Sequence, residues 1–440
     1  MSAGHHLAIH LSPARTARGG SRPDRLVSRL RPSTAQERFF GGCVLILALH
    51  LAAVALLFPG DAGTLPRAAL LLCAGLGPPA LLAVFVARGR VVRGLLAALI
   101  GLSATVTGLA TTVPHAVLTG ADGADYTGIL ATAVGIALVV LAFRIALRGR
   151  RLLVKLAVGI PACFVIGQWL IAPAVNAGIA TNAPRPTIAS ARTLGLPGAR
   201  DVTFPASDGV RLSGWYVAGR NGAAVLLLHG SHGTRVDTLA HLRMLAAAGY
   251  AVLAYDARGH GQSSGQTNGL GWLGTEDIAG AVTFLQRQPG VDSRQITALG
   301  LSMGGEEALR AAASGVLLRA VIADGAGAST LGDSQLVAHA LSPVFVSVTW
   351  LTMRATEWLA SESEPAALNT ILRRVRVPVL LIASNAPIER ATDQIFRNRI
   401  GPRASLWYVA DASHTKALDI HPQAYAARVT AFLRAALSRP

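Results

Sequence analysis

The stretch Gly300-Leu301-Ser302-Met303-Gly304 joins an apolar run that ends at Leu299 to an alanine-rich segment with the pattern of a helix. A Gly-x-Ser-x-Gly sequence between a strand and a helix predicts a sharp turn that exposes the serine hydroxyl at the end of a sheet. Glycines suit the flanking positions because side chains there would collide with the neighbouring strand and helix. Ser302 is therefore the candidate nucleophile.

Strand and helix patterns alternate from about Asp201 to the end of the chain, over some 240 residues. This is a normal size for one α/β domain. Short apolar runs separated by helical stretches predict a mostly parallel sheet, with Arg211–Val217 as an antiparallel edge strand. The other predicted strands are Ala224–Leu228, 251–255, Ile296–Leu301, 320–323, 377–383 and 406–409.

Three further features accompany Ser302. His414 follows the last predicted strand, His229-Gly230 follows a buried strand, and residues 255–263 form the glycine-rich sequence Tyr-Asp-Ala-Arg-Gly-His-Gly-Gln-Ser. With these features, residues 201–440 resemble the α/β-hydrolase superfamily, and most of all the serine hydrolases of its prolyl-oligopeptidase, dienelactone-hydrolase and Bem46-like branch. The resemblance covers a little over half the chain and implies an α/β-hydrolase fold with a helical cap at about residues 325–375.

A catalytic triad is what the resemblance implies for Ser302. A serine hydroxyl is a weak nucleophile that needs a base, which is itself oriented by an acid. His414 is the expected base because in this fold the base follows the last strand. The acid is expected on the loop after residues 377–383, where Pro387 occupies the usual aspartate position. Glu389 is the favoured acid, Asp393 is the alternative, and a third possibility is that neither residue serves.

Backbone N–H groups are expected to stabilise the oxyanion of an acyl-transfer intermediate. The resemblance assigns this role to Met303 and to Ser231, the residue after His229-Gly230. His229 is expected to be structural, and the charged residues of segment 255–263 are expected to pin a loop through an Asp–Arg pair. The sequence contains no Cys/His metal spacing, Walker loop or dinucleotide fingerprint, so no cofactor or metal is predicted.

Composition separates the chain into two halves. The protein has 440 residues, of which 52% are hydrophobic, and a mean hydropathy of +0.46. Its net charge is +17, but residues 1–200 carry 19 basic against 5 acidic side chains, whereas residues 201–440 carry 21 against 18. Arginines that flank membrane spans account for this bias. Because no nucleic-acid motif is present, a nucleic-acid partner is not predicted.

Five apolar runs precede the hydrolase-like region, and each approaches the ~20 residues that a helix needs to cross ~30 Å of hydrocarbon. They lie at residues 40–58, 68–87, 94–113, 127–147 and 152–172. The predicted organisation is therefore a disordered basic arm at 1–38, a five-helix membrane region at 39–172, a linker at 173–200 and the hydrolase domain at 201–440.

The charge of the connecting loops predicts the topology. Basic residues occupy the connections between runs two and three and between runs four and five, whereas the other two connections hold acids. The positive-inside rule places the arm and both basic loops in the cytoplasm, so after five spans the hydrolase domain emerges outside. If one run is re-entrant, the count becomes four and the domain lies inside.

These features predict a multi-pass membrane protein with an extracytoplasmic serine hydrolase that cleaves esters, or alternatively thioesters or amides, through an acyl-Ser302 intermediate. Small-molecule or lipid esters are the expected substrates, and lipid or envelope esters follow from the location at a membrane. Two alternatives stay open. One is a membrane scaffold whose hydrolase-like domain binds a ligand without turnover, and the other is a serine peptidase.

Overall fold

The computed structural model describes helical positions between Gly94 and Leu109 and then residues 125–438, except 182, 184, 266–269 and 337–342. The predicted arm and the first two apolar runs, 40–58 and 68–87, lie outside the described residues.

Two helices in the described part of the chain are long and apolar enough to cross a membrane, not five as predicted. They are α1 (Asp125–Ala146) and α2 (Leu152–Thr181). Helix α2 is an α-helix as far as Ile166, widens to a π-helix over Gly167–Ile171, and ends as an α-helix. It continues nine residues beyond the predicted fifth run, so the first part of the predicted linker is helical.

Small residues bring α1 and the segment between Gly94 and Leu109 into close contact. A Cβ added to Gly101 would lie 2.7 Å from the Gly135 carbonyl oxygen, and one added to Gly108 would lie 2.6 Å from that of Gly128. Only glycine permits backbones to approach this closely, which is the usual mode of helix association in lipid. Thr105 donates its hydroxyl to the Gly101 carbonyl within its own helix, so its polar group is satisfied.

Eight strands form one sheet in the order β1-β2-β4-β3-β5-β6-β7-β8. The strands are β1 (Arg200–Pro205), β2 (Arg211–Val217), β3 (Ala224–Leu228), β4 (Ala251–Asp256), β5 (Ile296–Leu301), β6 (Val321–Asp324), β7 (Val379–Ala383) and β8 (Ala404–Tyr408). β1 and β2 are antiparallel to their neighbours, and the remaining pairs are parallel. The predicted α/β-hydrolase fold with a mostly parallel sheet is confirmed.

The edge strand was predicted wrongly. β2 lies between β1 and β4, so β1 rather than β2 forms the edge of the sheet. β1 carries the sequence RDVTFP, in which only Val202 and Phe204 are buried. Strand β1 thus contributes Val202 and Phe204 to the buried cluster on one face of the sheet and exposes its other residues.

Helices cover both faces of the sheet, and the apolar residues of the strands divide between two buried clusters, one on each face. The helices are α3 (Leu239–Ala247), α4 (Gly274–Gln286), α5 (Met303–Ala313), α6 (Leu331–Ser334), α7 (Pro343–Ala360), α8 (Leu368–Ile371), α9 (Pro387–Ile400), α10 (Ala417–Ile420) and α11 (Pro422–Leu437). Because β3 to β8 are parallel, their carboxyl ends and the loops that follow them meet at one edge. The candidate residues lie on those loops.

Candidate active site

Ser302 lies in a sharp turn between β5 and α5. Its φ of 51° falls in the left-handed region that non-glycine residues rarely adopt. The turn is closed from both sides, since a Cβ on Gly300 would lie 2.1 Å from the Gly304 carbonyl oxygen and one on Gly304 would lie 2.6 Å from Leu228. Glycine is therefore required at both positions, and the turn presents the Ser302 hydroxyl beyond the end of the sheet.

His414 connects Ser302 to Glu389. The His414 Nε2 lies 2.9 Å from Ser302 Oγ, and its Nδ1 lies 2.6 Å from Glu389 Oε2. A carboxylate only accepts hydrogen bonds, so Nδ1 carries a proton and donates to Glu389 while Nε2 accepts from the serine hydroxyl. This is the arrangement in which a neutral imidazole can take the serine proton.

Glu389 reaches His414 from the first turn of a helix and not, as predicted, from a loop. Helix α9 begins at Pro387, and proline suits this position because its fixed φ is helical and its missing N–H has no intrahelical partner to lose. Glu389 follows two residues later. Its Oε1 accepts from the Ser384 N–H at 2.6 Å, much as a glutamate in a capping box bonds back to the chain before the helix. The longer side chain thereby bridges to His414 without an aspartate at position 387.

The hydrogen bonds of the site shift both pKa values. Burial acts to raise the Glu389 pKa, but hydrogen bonds from His414 and Ser384 outweigh it, so this pKa lies below its usual value. The hydrogen bond to Glu389 raises the pKa of His414, and burial opposes this only in part. Glu389 is therefore an anion at neutral pH that stabilises a protonated His414.

The two predicted oxyanion donors belong to elements that lie next to Ser302. Met303 is the first residue of α5, so the positive end of the helix dipole points at Ser302. Ser231 belongs to the His-Gly loop (residues 229–233), and a Cβ on Gly230 of this loop would lie 3.4 Å from the Ser302 Cβ. The loop therefore passes directly beside the candidate nucleophile.

His229 is fully engaged away from Ser302. Its Nδ1–H donates to the Gly230 carbonyl at 2.7 Å, and its Nε2 accepts from the Ala257 N–H at 3.0 Å. Burial lowers its pKa, which keeps the ring neutral. His229 thus joins the His-Gly loop to the turn after β4.

The charged residues of segment 255–263 are paired, but with partners outside the segment. Buried Asp256 pairs with Arg235, while Arg258 bonds to Asp277 at 2.7 Å and to Asp208 at 2.7 Å. These Asp–Arg pairs join the turn to three different parts of the chain.

Two buried carboxyl groups lie near Glu389, and one of them, Asp324, was not among the predicted site residues. Asp324 ends β6, accepts a hydrogen bond from the Tyr425 hydroxyl at 2.8 Å, and has its pKa raised to about 7 by burial. Asp393, the alternative acid, lies one turn after Glu389, and neither of its oxygens has a hydrogen-bond partner in the described part of the chain. Asp324 was detectable as an acid that follows a buried parallel strand.

Asp393 is expected to reduce stability at neutral and alkaline pH. Burial and the carboxyl groups of Glu389, Asp324 and Glu306 raise its pKa well above the usual value. A folded-state pKa above the unfolded value means that the folded state binds more protons, so stability falls as pH rises from ~4 towards the raised pKa. Asp393→Asn should therefore raise the apparent Tm at pH 8 by more than at pH 5.

The test is a pair of thermal unfolding scans of the full chain in detergent at those two pH values. Glu362→Gln, which removes one negative charge from a partly exposed site, serves as the control and should leave the pH dependence of Tm unchanged. A Tm gain for Asp393→Asn that is larger at pH 5 than at pH 8 would contradict the expectation.

Residues 225–428 match the model of the "Alpha/beta hydrolase family". An uncharacterized protein of Mycobacterium tuberculosis is 36% identical over 112 residues, which cover 25% of this chain and 39% of that protein. The uncharacterized protein YfhR of Escherichia coli is 26% identical over 254 residues, which cover 54% of this chain and 82% of the YfhR chain.

Among solved structures, the esterase Pf2001 of Pyrococcus furiosus is similar to this chain, with 25% sequence identity and a TM-score of 0.48. The match covers 57% of this chain and 97% of the esterase chain. The matched region of the family model contains β3 to β8, the turn at Ser302, Glu389 and His414. The family match, the strand order and the turn together support the assignment of this region of the chain to the α/β-hydrolase superfamily.

Proposed function

We propose that this protein is a membrane-anchored serine hydrolase that cleaves carboxylic esters, with thioesters and amides as related substrates. Ser302 attacks the carbonyl carbon while His414 takes the serine proton and Glu389 orients the imidazole. The N–H groups of Ser231 and Met303 stabilise the oxyanion. Collapse of the intermediate expels the leaving group, which receives the proton from His414, and water then hydrolyses the acyl-Ser302 ester by the same steps.

The observation that carries this proposal is the continuous hydrogen-bond chain from Ser302 through His414 to Glu389. A domain that only binds a ligand has no need for this chain or for the left-handed backbone at Ser302. Glu389 also supplies the carboxylate that orients His414, although Pro387 occupies the usual aspartate position.

Membrane anchoring is supported by the surfaces of α1 and α2. Large apolar side chains point outwards along both helices, and on α2 they include Leu152 at 68%, Leu153 at 78% and Ile160 at 66% exposure. A helix that is apolar on all sides and packs through small residues suits a lipid environment. We propose the predicted multi-pass anchor and an extracytoplasmic hydrolase domain on this basis together with the loop charges.

An activity-based probe tests the proposed reaction. The purified full-length protein in detergent should react with a fluorophosphonate, and peptide mass spectrometry should locate the adduct on Ser302. Ser302→Ala should not react, and His414→Ala should react far more slowly because the serine is no longer deprotonated. A folded wild-type protein that stays unlabelled would reject the enzyme in favour of a binding domain.

Substrate panels then separate the related reactions. We expect hydrolysis of short-chain aryl esters and of acylglycerols in mixed micelles, with peptides cleaved much more slowly. Faster cleavage of peptides than of esters would assign the protein to the serine peptidases. Acylglycerol turnover that exceeds the aryl ester rate would support a lipid substrate.

A reporter fusion tests the topology. A reporter that is active only outside the cytoplasm, fused after Pro440, should give signal because the charges of the connecting loops favour an extracytoplasmic hydrolase domain. A silent fusion that is nevertheless expressed would show an even number of spans and a cytoplasmic hydrolase domain.

A further inference from the structure

The carboxyl end of α2 contacts the His-Gly loop. The His232 Nε2 lies 2.7 Å from the carbonyl oxygen of Ile179, two residues before Thr181, at which α2 ends. The last four carbonyl groups of a helix lack intrahelical partners, so the Ile179 carbonyl is available to a donor from outside. His232 supplies that donor and thereby caps α2.

Both ring nitrogens of His232 have partners, and together they define its protonation. A carbonyl oxygen only accepts, so Nε2 carries the proton, and Nδ1 lies 3.2 Å from Ser231 Oγ, from which it accepts a hydrogen bond when the ring is neutral. Burial lowers the His232 pKa, which favours the neutral ring. A single chain of hydrogen bonds thus runs from the Ile179 carbonyl through His232 to Ser231.

His232 has a φ of 61°, in the left-handed region. A histidine pays a conformational cost there that surrounding contacts must offset. The ends of the loop are fixed by other groups, namely His229 at its start and the capping box of Thr234 with Asp237 at its end. The hydrogen bond from His232 to Ile179 connects the middle of the loop to another element.

Two other side chains connect α2 and the segment after it to the hydrolase domain. Trp169 donates its indole N–H to Ser347 Oγ of α7 at 2.8 Å. Arg185 donates to the carbonyl of Ser263 at 3.2 Å and also to that of Gly265. α2 therefore contacts both α7 and the His-Gly loop, and the segment that follows α2 contacts the turn after β4 through Arg185. These contacts make the end of α2 a support for the loop.

We propose that His232 is a positioning residue that ties the His-Gly loop to the carboxyl end of α2 and so sets the orientation of the Ser231 N–H towards the oxyanion. The inference rests on the proposed function, because it assigns a catalytic consequence to the geometry of Ser231. It also gives the last apolar helix a role in the site beyond anchoring.

Two substitutions separate this role from a structural one. His232→Asn suits a left-handed backbone better than histidine but is too short to reach Ile179. His232→Gln keeps a side-chain N–H at about the same distance from the backbone as Nε2 of histidine, so it can still donate to Ile179. It does not reduce the strain of the left-handed backbone. Relief of strain alone would favour Asn over Gln, whereas the hydrogen bond to α2 favours Gln over Asn.

The measurement is aryl ester hydrolysis by the full-length protein in detergent, with kcat counted per fluorophosphonate-reactive site. We expect His232→Asn to lose about tenfold in kcat with KM nearly unchanged, less than the ~100-fold or more that follows removal of an oxyanion donor. Binding of an aryl trifluoromethyl ketone, which forms an oxyanion on Ser302, should weaken by the same factor. His232→Gln should recover most of both losses.

Equal kcat for wild type and His232→Asn, or a loss that His232→Gln does not recover, would overturn the inference while leaving the enzyme intact. A change confined to KM or to Tm would also overturn it, because that pattern shows a structural role. If the folded wild-type protein does not react with the fluorophosphonate, the proposed function is wrong, and His232 then has no catalytic role either.

Discussion

Glu389→Gln is expected to lower kcat/KM about 10⁴-fold, equivalent to about 5.4 kcal/mol of transition-state stabilisation. The Glu389 carboxylate accepts the Nδ1–H of His414 and thereby leaves Nε2 free to take the serine proton. A glutamine can instead donate its amide N–H to Nδ1, which reverses the tautomer and blocks Nε2. The developing imidazolium also loses its counter-charge.

The pH profile adds a second signature. Catalysis needs neutral His414, so kcat/KM rises as pH increases through the pKa of this residue in the free enzyme. In the wild type the hydrogen bond to Glu389 raises that pKa above the usual histidine value. Glu389→Gln removes the cause of the shift, and the acidic limb of the profile should therefore move to lower pH.

Asp393→Asn is the matched control for this experiment, since it changes the other candidate acid on the same helix. We expect it to retain kcat/KM within about threefold and to keep the acidic limb in place. If Asp393→Asn lost as much activity as Glu389→Gln, the assignment of Glu389 as the orienting acid would fail. Steady-state ester hydrolysis between pH 5 and 9 provides both readouts.

The parts of the fold that sequence reasoning predicted are those with local signals. Apolar runs such as Ala224–Leu228 and Ile296–Leu301 were placed with their observed bounds, because a buried parallel strand is apolar at nearly every position. β1 was missed because only two of its six residues are buried, so its apolar signal is weak. The start of α9 was also missed, although Pro387 is a frequent first residue of a helix.

The remaining features depend on contacts between distant residues. The Ile179 carbonyl and His232 meet only because α2 ends beside the loop after β3, and no local pattern encodes that meeting. Likewise Asp256, the last residue of β4, pairs with Arg235 and not with Arg258, which is nearer in the sequence. Arg235 is the first residue of a short 3-10 helix, Arg235–Thr238, which the fold brings to the end of β4. Sequence order proposed Ser302, Glu389 and His414 as a set, and the fold brings these three side chains together.

Gly300→Ala is expected to reduce the stability of the hydrolase domain more than any other substitution considered. The added Cβ would lie 2.1 Å from the Gly304 carbonyl oxygen and 2.4 Å from the Gly305 nitrogen. Both are backbone atoms of the turn and the first turn of α5, so no flexible side chain can move aside. Overpacking of this kind costs about 3 kcal/mol or more, which corresponds to about 6–12 °C in Tm for a domain of this size.

Gly305→Ala is the matched control, because it adds the same methyl group five residues later, in the first turn of α5. Its Cβ would lie 3.2 Å from the Ala323 Cβ and 3.2 Å from the Gly300 carbonyl oxygen, distances that a shift of a few tenths of an ångström relieves. Alanine also favours a helix over glycine by about 1 kcal/mol, so the net change should be small. The expected order is a large loss of Tm and of Ser302 labelling for Gly300→Ala and a small change in both for Gly305→Ala. Equal stability of the two variants would show that the turn at Ser302 is looser than these distances indicate. The close approach of Gly300 to Gly304 would then not explain the left-handed conformation of Ser302.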